Sequence, residues 1–121
     1  MKILVVDDEW DAQDLFKQRF RKEIKSGSME PLFAMSGEEA IKILSDLHPM
    51  DIVMVFSDIN MPGMSGFELL SSIKIKFPQL KVYLVSAYGD HTNLQRAIDL
   101  GADDFIHKPV DYDIVKTKLT K

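Results

Sequence analysis

Short apolar runs alternate along the chain with longer stretches in which apolar residues recur every three or four positions. Ile3-Leu4-Val5-Val6 is apolar on both faces and stops at Asp7-Asp8-Glu9, the mark of a strand buried within a parallel sheet. Ala12, Leu15, Phe16, Phe20 and Ile24 follow at helical spacing, which predicts one helix over about 10 to 25, halted by Ser26-Gly27-Ser28. Pro31-Leu32-Phe33-Ala34 reads as a weaker strand whose proline suits a sheet edge. Ser36, with Glu39 three residues on, predicts a capping box, and Ala40, Ile41, Ile43, Leu44 and Leu47 form one helix face that Pro49 ends. Ile52 to Phe56 is the strongest strand, and it leads through Ser57-Asp58 into turn formers from Asn60 to Gly66. A helix over about 65 to 76 carries Phe67, Leu70, Ile73 and Phe77 and is closed by Pro78. Val82-Tyr83-Leu84-Val85 is a strand ending at Ser86. The next helix, about 91 to 100, runs through Leu94, Ala97, Ile98 and Leu100 to a C-cap at Gly101. Asp104-Phe105-Ile106-His107 is a short strand before Lys108-Pro109, and a last helix starts near Tyr112 with Ile114, Val115 and Leu119.

Five βα units in succession, with no repeat or linker, predict an α/β fold with a doubly wound parallel sheet and helices on both faces. The 121 residues suit one domain, and the apolar (45%) and charged (28%) fractions are those of a globular chain, which excludes disorder for its bulk. The absence of cysteine excludes a disulfide scaffold, a thiolate metal site and a thiol nucleophile, and it is compatible with a reducing cytosol. The apolar runs are too short to cross a bilayer, and no signal peptide is evident. A net charge of −4 argues against nucleic-acid binding by this domain.

The chemistry lies immediately after the strands. In open parallel sheets, ligands bind beyond the carboxyl ends of the strands. Strand one ends in Asp7 and Asp8, strand three in Asp58, strand four in Ser86 and strand five in Lys108. Three carboxylates gathered there repel one another and call for a hard divalent cation, for which Mg²⁺ with its preference for oxygen ligands is the natural choice. Asp58 then suits the part of a nucleophile of the aspartyl-phosphate type, with Lys108 and the ion neutralising the equatorial oxygens of an in-line phosphoryl transfer. Ser86 is placed to donate a hydrogen bond to a phosphoryl oxygen.

Val5-Val6-Asp7-Asp8-Glu9, Asp58 to Gly66, Ser86-Ala87 and Lys108-Pro109-Val110, in this order and each at a strand end, make the chain resemble the receiver domain of two-component response regulators over essentially its whole length. The resemblance implies a flavodoxin-like sheet of order 2-1-3-4-5, with residues 1–121 forming one receiver. It implies that Asp58 accepts the phosphoryl group. Asp8, Asp58 and the Asn60 carbonyl would bind Mg²⁺ directly, with Asp7 acting through water. Lys108 would hold the phosphoryl group, and the Lys108-Pro109 bond would be cis. Ser86 and Phe105 match the two switch positions: the hydroxyl moves toward the phosphoryl group, and the aromatic ring turns inward to fill the space. Asn60 and Tyr88 would tune the phosphoryl lifetime, Tyr88 by shielding it from water. The implied partners are a sensor histidine kinase or histidine phosphotransfer protein and a fused output domain or a second copy, in the cytoplasm, with no nucleic acid or membrane. The domain would act as a switch, not as an enzyme on external substrates. The last helix is short for the family, so an N-terminal part of a longer regulator is expected, with a stand-alone regulator as the alternative.

Plainer readings compete for each residue. Asp7 and Asp8 could only cap a helix, and Asp58 could be a turn aspartate. Ser86 could be a plain strand-end serine, Lys108 a solvated lysine and Phe105 ordinary packing. The charge constellation as a whole favours the site. His48, His91 and His107 read as surface histidines, Trp10 and the seven methionines as packing, and Gly63 and Gly66 as backbone geometry. Two other functions remain open. A Mg²⁺-dependent phosphohydrolase would want an acid/base two residues after Asp58, where Asn60 stands. A pseudo-receiver that binds partners without phosphorylation usually lacks one of the acidic or lysine positions, all of which are present.

Overall fold

In the computed structural model, residues 1–46, 52–86 and 91–119 are described. Five strands, β1 (Lys2–Val6), β2 (Glu30–Ala34), β3 (Ile52–Asp58), β4 (Lys81–Ser86) and β5 (Asp104–His107), pair in parallel in the order β2-β1-β3-β4-β5. Among the described residues, the helices α1 (Trp10–Arg19), α2 (Arg21–Ser26), α3 (Gly37–Asp46), α4 (Gly66–Lys76) and α5 (His91–Asp99) connect them, and α6 (Tyr112–Leu119) follows β5.

The strands read as continuous apolar runs because each face of the sheet is covered. Leu4, Val6, Val55, Val82 and Leu84 point to one side, where Leu44, Leu70, Ile73 and Ala97 of α3, α4 and α5 meet them. The intervening Ile3, Val5, Met54, Phe56, Tyr83 and Val85 point to the other, against Phe16, Phe20 and Val115. The period-two alternation along each strand thus feeds two cores at once. Pro31 lies in β2, which is an edge strand as expected.

The first helix differs from its prediction. It divides at Phe20, whose backbone (φ −107°, ψ 21°) leaves the helical region before α2 resumes. The fully buried Phe20 ring packs 4.6 Å from Phe16 and 5.9 Å from Tyr112, so aromatic packing fixes this residue while the backbone turns around it. Gly27 (φ +83°) then caps α2 in the left-handed region. The apolar stripes are also narrower than their spacing suggests, since Leu15, Ile98 and Ile114 are exposed. Ser36 accepts from the Glu39 N–H, but the Glu39 carboxylate accepts from Met35 N–H, one residue before the expected partner. A full reciprocal capping box forms instead between Ser65 and Glu68 at the start of α4. Leu47, His48 and Pro49 lie outside the described residues.

Candidate functional site

The pairing of β1 with β3 in register Val6↔Ser57 brings the residues that follow, Asp7 and Asp58, side by side at the carboxyl edge of the sheet. Asp8 joins them, and one carboxylate oxygen from each of the three lies within 4.8 Å of the others. Asp58 and Asp7 are buried and Asp8 is half-buried. Burial lifts the Asp7 carboxyl to about 6, against the Glu9 N–H that donates to it at 2.9 Å, with the Asp58 charge adding to the rise. Burial also raises Asp58, while Lys108 and the Ile59 N–H, which donates to Oδ1 at 3.0 Å, pull it down. Three close carboxylates, two of them pushed toward neutrality, form an all-oxygen donor set suited to a hard cation.

Lys108 supplies the opposing charge. Its Nζ lies 3.5 Å from Asp58 Oδ1. Its backbone N–H donates to the Ser86 carbonyl at 2.7 Å, which ties the ends of β4 and β5 together, and the Lys108-Pro109 bond is cis as expected. Ser86 is fully buried and its Oγ has no hydrogen-bond partner among the described residues, an uncommon state for an interior hydroxyl. A cavity of about 410 Å³ reaches Asp7, Asp58 and Lys108 from between α1 and the loop after β5, past Leu15, Phe16 and Val110.

Two supporting residues hold this edge in shape. Gly66 sits directly against the acceptor loop: a Cβ there would stand 2.4 Å from the Asp58 carbonyl oxygen and 2.7 Å from Ile59 Cα, so only hydrogen fits. The Gly66 N–H donates to the Ile59 carbonyl at 2.8 Å. Gly63 (φ +74°) shapes the turn before it. Gln13 was not foreseen. Its side chain is buried in α1 and donates to the Asp7 carbonyl at 3.0 Å and to the Ala34 carbonyl at 3.3 Å, joining the ends of β1 and β2. The only signal in the sequence is a glutamine on the apolar face between Ala12 and Phe16.

Asn60 is exposed in the loop two residues beyond Asp58. Phe105 is half-buried against the core formed with α3, α4 and α5. Tyr88, Ala87 and His48 lie outside the described residues, as does the side chain of His91. Two expectations are corrected. Trp10 is not packing: it is 66% exposed at the first position of α1. His107 is not a surface histidine: it is half-buried, its ring lies edge-on to Phe105 at 5.1 Å, and its Nδ1 is buried. Met29 and Met54 pack in the core, as expected, whereas Met1 is 44% exposed and does not.

Residues 3–120 match the response regulator receiver domain family. The chain belongs to that family. This receiver is 38% identical over 122 residues to the chemotaxis protein CheY of Listeria monocytogenes, covering 100% of this chain and 97% of that protein. It is 32% identical over 120 residues to the sporulation initiation phosphotransferase F of Bacillus subtilis, covering 99% of this chain and 91% of that one. A cyclic di-GMP phosphodiesterase of Thermotoga maritima is 32% identical over 99% of this chain, which spans only 30% of that longer protein. Among solved structures, the receiver domain of NtrX from Brucella abortus superposes with a TM-score of 0.84 at 34% identity, over 98% of this chain and 94% of that one. A two-component receiver with an acidic pocket at the carboxyl edge of its sheet is therefore the coarse identity of the molecule.

Proposed function

We propose that this receiver is a phosphorylation-dependent signalling switch in which Asp58 takes a phosphoryl group from the phosphohistidine of a sensor histidine kinase or a histidine phosphotransfer protein. The observation that carries this reading is the buried Asp58 carboxylate, flanked by Asp7 and Asp8 on one side and by Lys108 at 3.5 Å on the other. A buried carboxylate gains little stability in such company, but it makes an oriented nucleophile once the negative charge is answered. In the transfer, an Asp58 oxygen forms the new bond to phosphorus, the bond from phosphorus to the donor's imidazole nitrogen breaks, and the nitrogen keeps the electron pair. Lys108 offsets charge on the phosphoryl oxygens, and the Ser86 hydroxyl, without a partner among the described residues, donates to one of them. The donor set fits Mg²⁺, which Asp8, Asp58 and the Asn60 carbonyl would hold, with Asp7 through water, and which supplies positive charge to the transferring group.

Ser86 and Phe105 lie on neighbouring strands, so a hydroxyl drawn toward Asp58 gives the ring room to move inward. Burying a large aromatic contributes about 1.5–3 kcal/mol, comparable with typical couplings between sites. The surface of α5, β5 and α6 would then present a changed face to an output partner, fused or separate. Asn60, two residues after Asp58 in the sequence, and Tyr88, two after Ser86, would set the phosphoryl lifetime.

The test is intact-mass analysis after incubation with acetyl phosphate. Wild type with Mg²⁺ gains one phosphoryl group, and Asp58→Asn or chelator abolishes the gain. A wild type that gains no mass, or an Asp58→Asn variant that still does, contradicts the reading.

A further inference from the structure

Five of the nine residues from 17 to 25 are lysine or arginine, in a chain whose net charge is −4. The one acid among them, Glu23, is turned toward α6, where its Oε1 lies 3.6 Å from Lys116 Nζ. Lys17, Arg21 and Lys25 stand four residues apart, are exposed, and line a groove of about 730 Å³ between α1, α2 and β2. Among the described residues, none of the three is paired with a carboxylate. The apolar part of the lining is Met29, which is buried, with Ile24, Pro31 and Phe33, which are half-buried. Glu30, the one acid in the lining, lies 4.0 Å from Lys2 Nζ. The groove shares no residue with the cavity that reaches Asp58.

We propose that this groove docks an acidic amphipathic helix of a partner protein, whether or not Asp58 is phosphorylated. Charge complementarity sets the chemistry of the partner: unpaired cations around an apolar surface fit carboxylates that flank apolar anchors. The edge of β2 argues for a helix over an added strand. The Glu30 N–H donates to the Met1 carbonyl at 2.8 Å, and the Ala34 carbonyl accepts from the Asp7 N–H at 3.1 Å, so the even-numbered residues of β2 face β1. Pro31 and Phe33 turn their backbone groups outward, and Pro31 brings no N–H, which leaves Phe33 as the one donor of β2 on that side. A helix satisfies its own backbone and needs only side-chain contacts. The Phe33 ring is edge-on to Phe16 at 6.2 Å and has Lys17 Nζ 4.8 Å from its centroid, so it offers little open face to a stacked nucleobase. Ile24, Pro31 and Phe33 line a concavity and do not protrude, which suits an inserted side chain and not the flat surface of a bilayer.

The test uses the full chain, ¹⁵N amide NMR and a designed helical peptide with leucines at i, i+3 and i+7 between glutamates. The unphosphorylated protein binds it, with shifts centred on the amides of Lys17 to Phe33. Arg21→Glu with Lys25→Glu weakens binding about 10-fold or more, because two attractive contacts become repulsive. The same double variant keeps the melting temperature and the Mg²⁺ titration of wild type. A peptide with lysines in place of its glutamates prefers the double variant to wild type, and one with alanines in place of its leucines binds about 10-fold or more weakly to wild type. Phosphatidylglycerol vesicles and a single-stranded oligonucleotide are the rival probes. The proposal is overturned by an absence of groove shifts at about 1 mM peptide, by affinity that the charge reversal leaves unchanged, or by either rival probe binding through these residues more tightly than the peptide. The peptide is added in chelator with no phosphoryl donor, so a chain whose Asp58 takes no phosphoryl group leaves this result untouched.

Discussion

Asp7 should cost the metal-free protein stability at neutral pH, and replacing it with asparagine should return that stability. The residue is 8% exposed. Burial is the largest influence on it and lifts its carboxyl from 3.8 to about 6. The folded protein therefore holds this proton more tightly than the unfolded chain does. Below pH 3.8 both states are protonated and the contribution is fully present. As pH rises toward about 6 the unfolded chain has already lost its proton, so stability falls; above that it stays low. The shift of roughly two units corresponds to about 3 kcal/mol, at about 1.4 kcal/mol per unit. An asparagine side chain carries no charge at this position yet keeps an oxygen for the Glu9 N–H. Asp7→Asn in chelator at pH 7.5 should thus gain up to about 3 kcal/mol, or on the order of 10 °C in Tm for a domain of this size. The gain should shrink toward zero near pH 4. Mg²⁺ should stabilise wild type more than the variant, since it answers the same charge. Thermal melts by circular dichroism across pH, with and without Mg²⁺, make the comparison. An Asp7→Asn variant no more stable than wild type at pH 7.5 in chelator would refute the reasoning.

Other substitutions probe the frame around the site. Gly66→Ala pushes a methyl into the Asp58 carbonyl and Ile59 Cα, both backbone, so urea unfolding should show a loss of about 1–3 kcal/mol with weakened Mg²⁺ binding. Gln13→Leu removes the buried donor from the Asp7 carbonyl; a loss of about 1–3 kcal/mol is expected, and a Mg²⁺ titration followed by Trp10 fluorescence should show weaker binding. Ser65→Ala breaks the capping box of α4 and should cost about 1 kcal/mol in chemical denaturation without changing Mg²⁺ affinity.

The strands were legible because a sheet covered on both faces demands apolar runs, and Ile3–Val6 and Ile52–Phe56 supply them; their order came from the family resemblance. The acidic edge was legible because Asp7, Asp8 and Asp58 stand at strand ends, and register alone then brings them together. The break at Phe20 was not, because its aromatic ring keeps the helical spacing while its backbone leaves the helix. Gln13 and His107 were missed for a common reason. A polar residue on an element reads as solvent-facing until its neighbours across the sheet are known, and both are set by carbonyls or rings that only the fold brings close. Trp10 misled in the opposite sense: size suggested packing, but its place at the first turn of α1 leaves it in water.

The most direct test is a crystal structure with Mg²⁺ and beryllofluoride. It should show beryllium on an Asp58 oxygen, the ion against Asp8 and Asp58, and fluorine atoms in reach of Lys108 Nζ and Ser86 Oγ. Beryllofluoride attached elsewhere, or an ion held away from the three aspartates, would contradict the account.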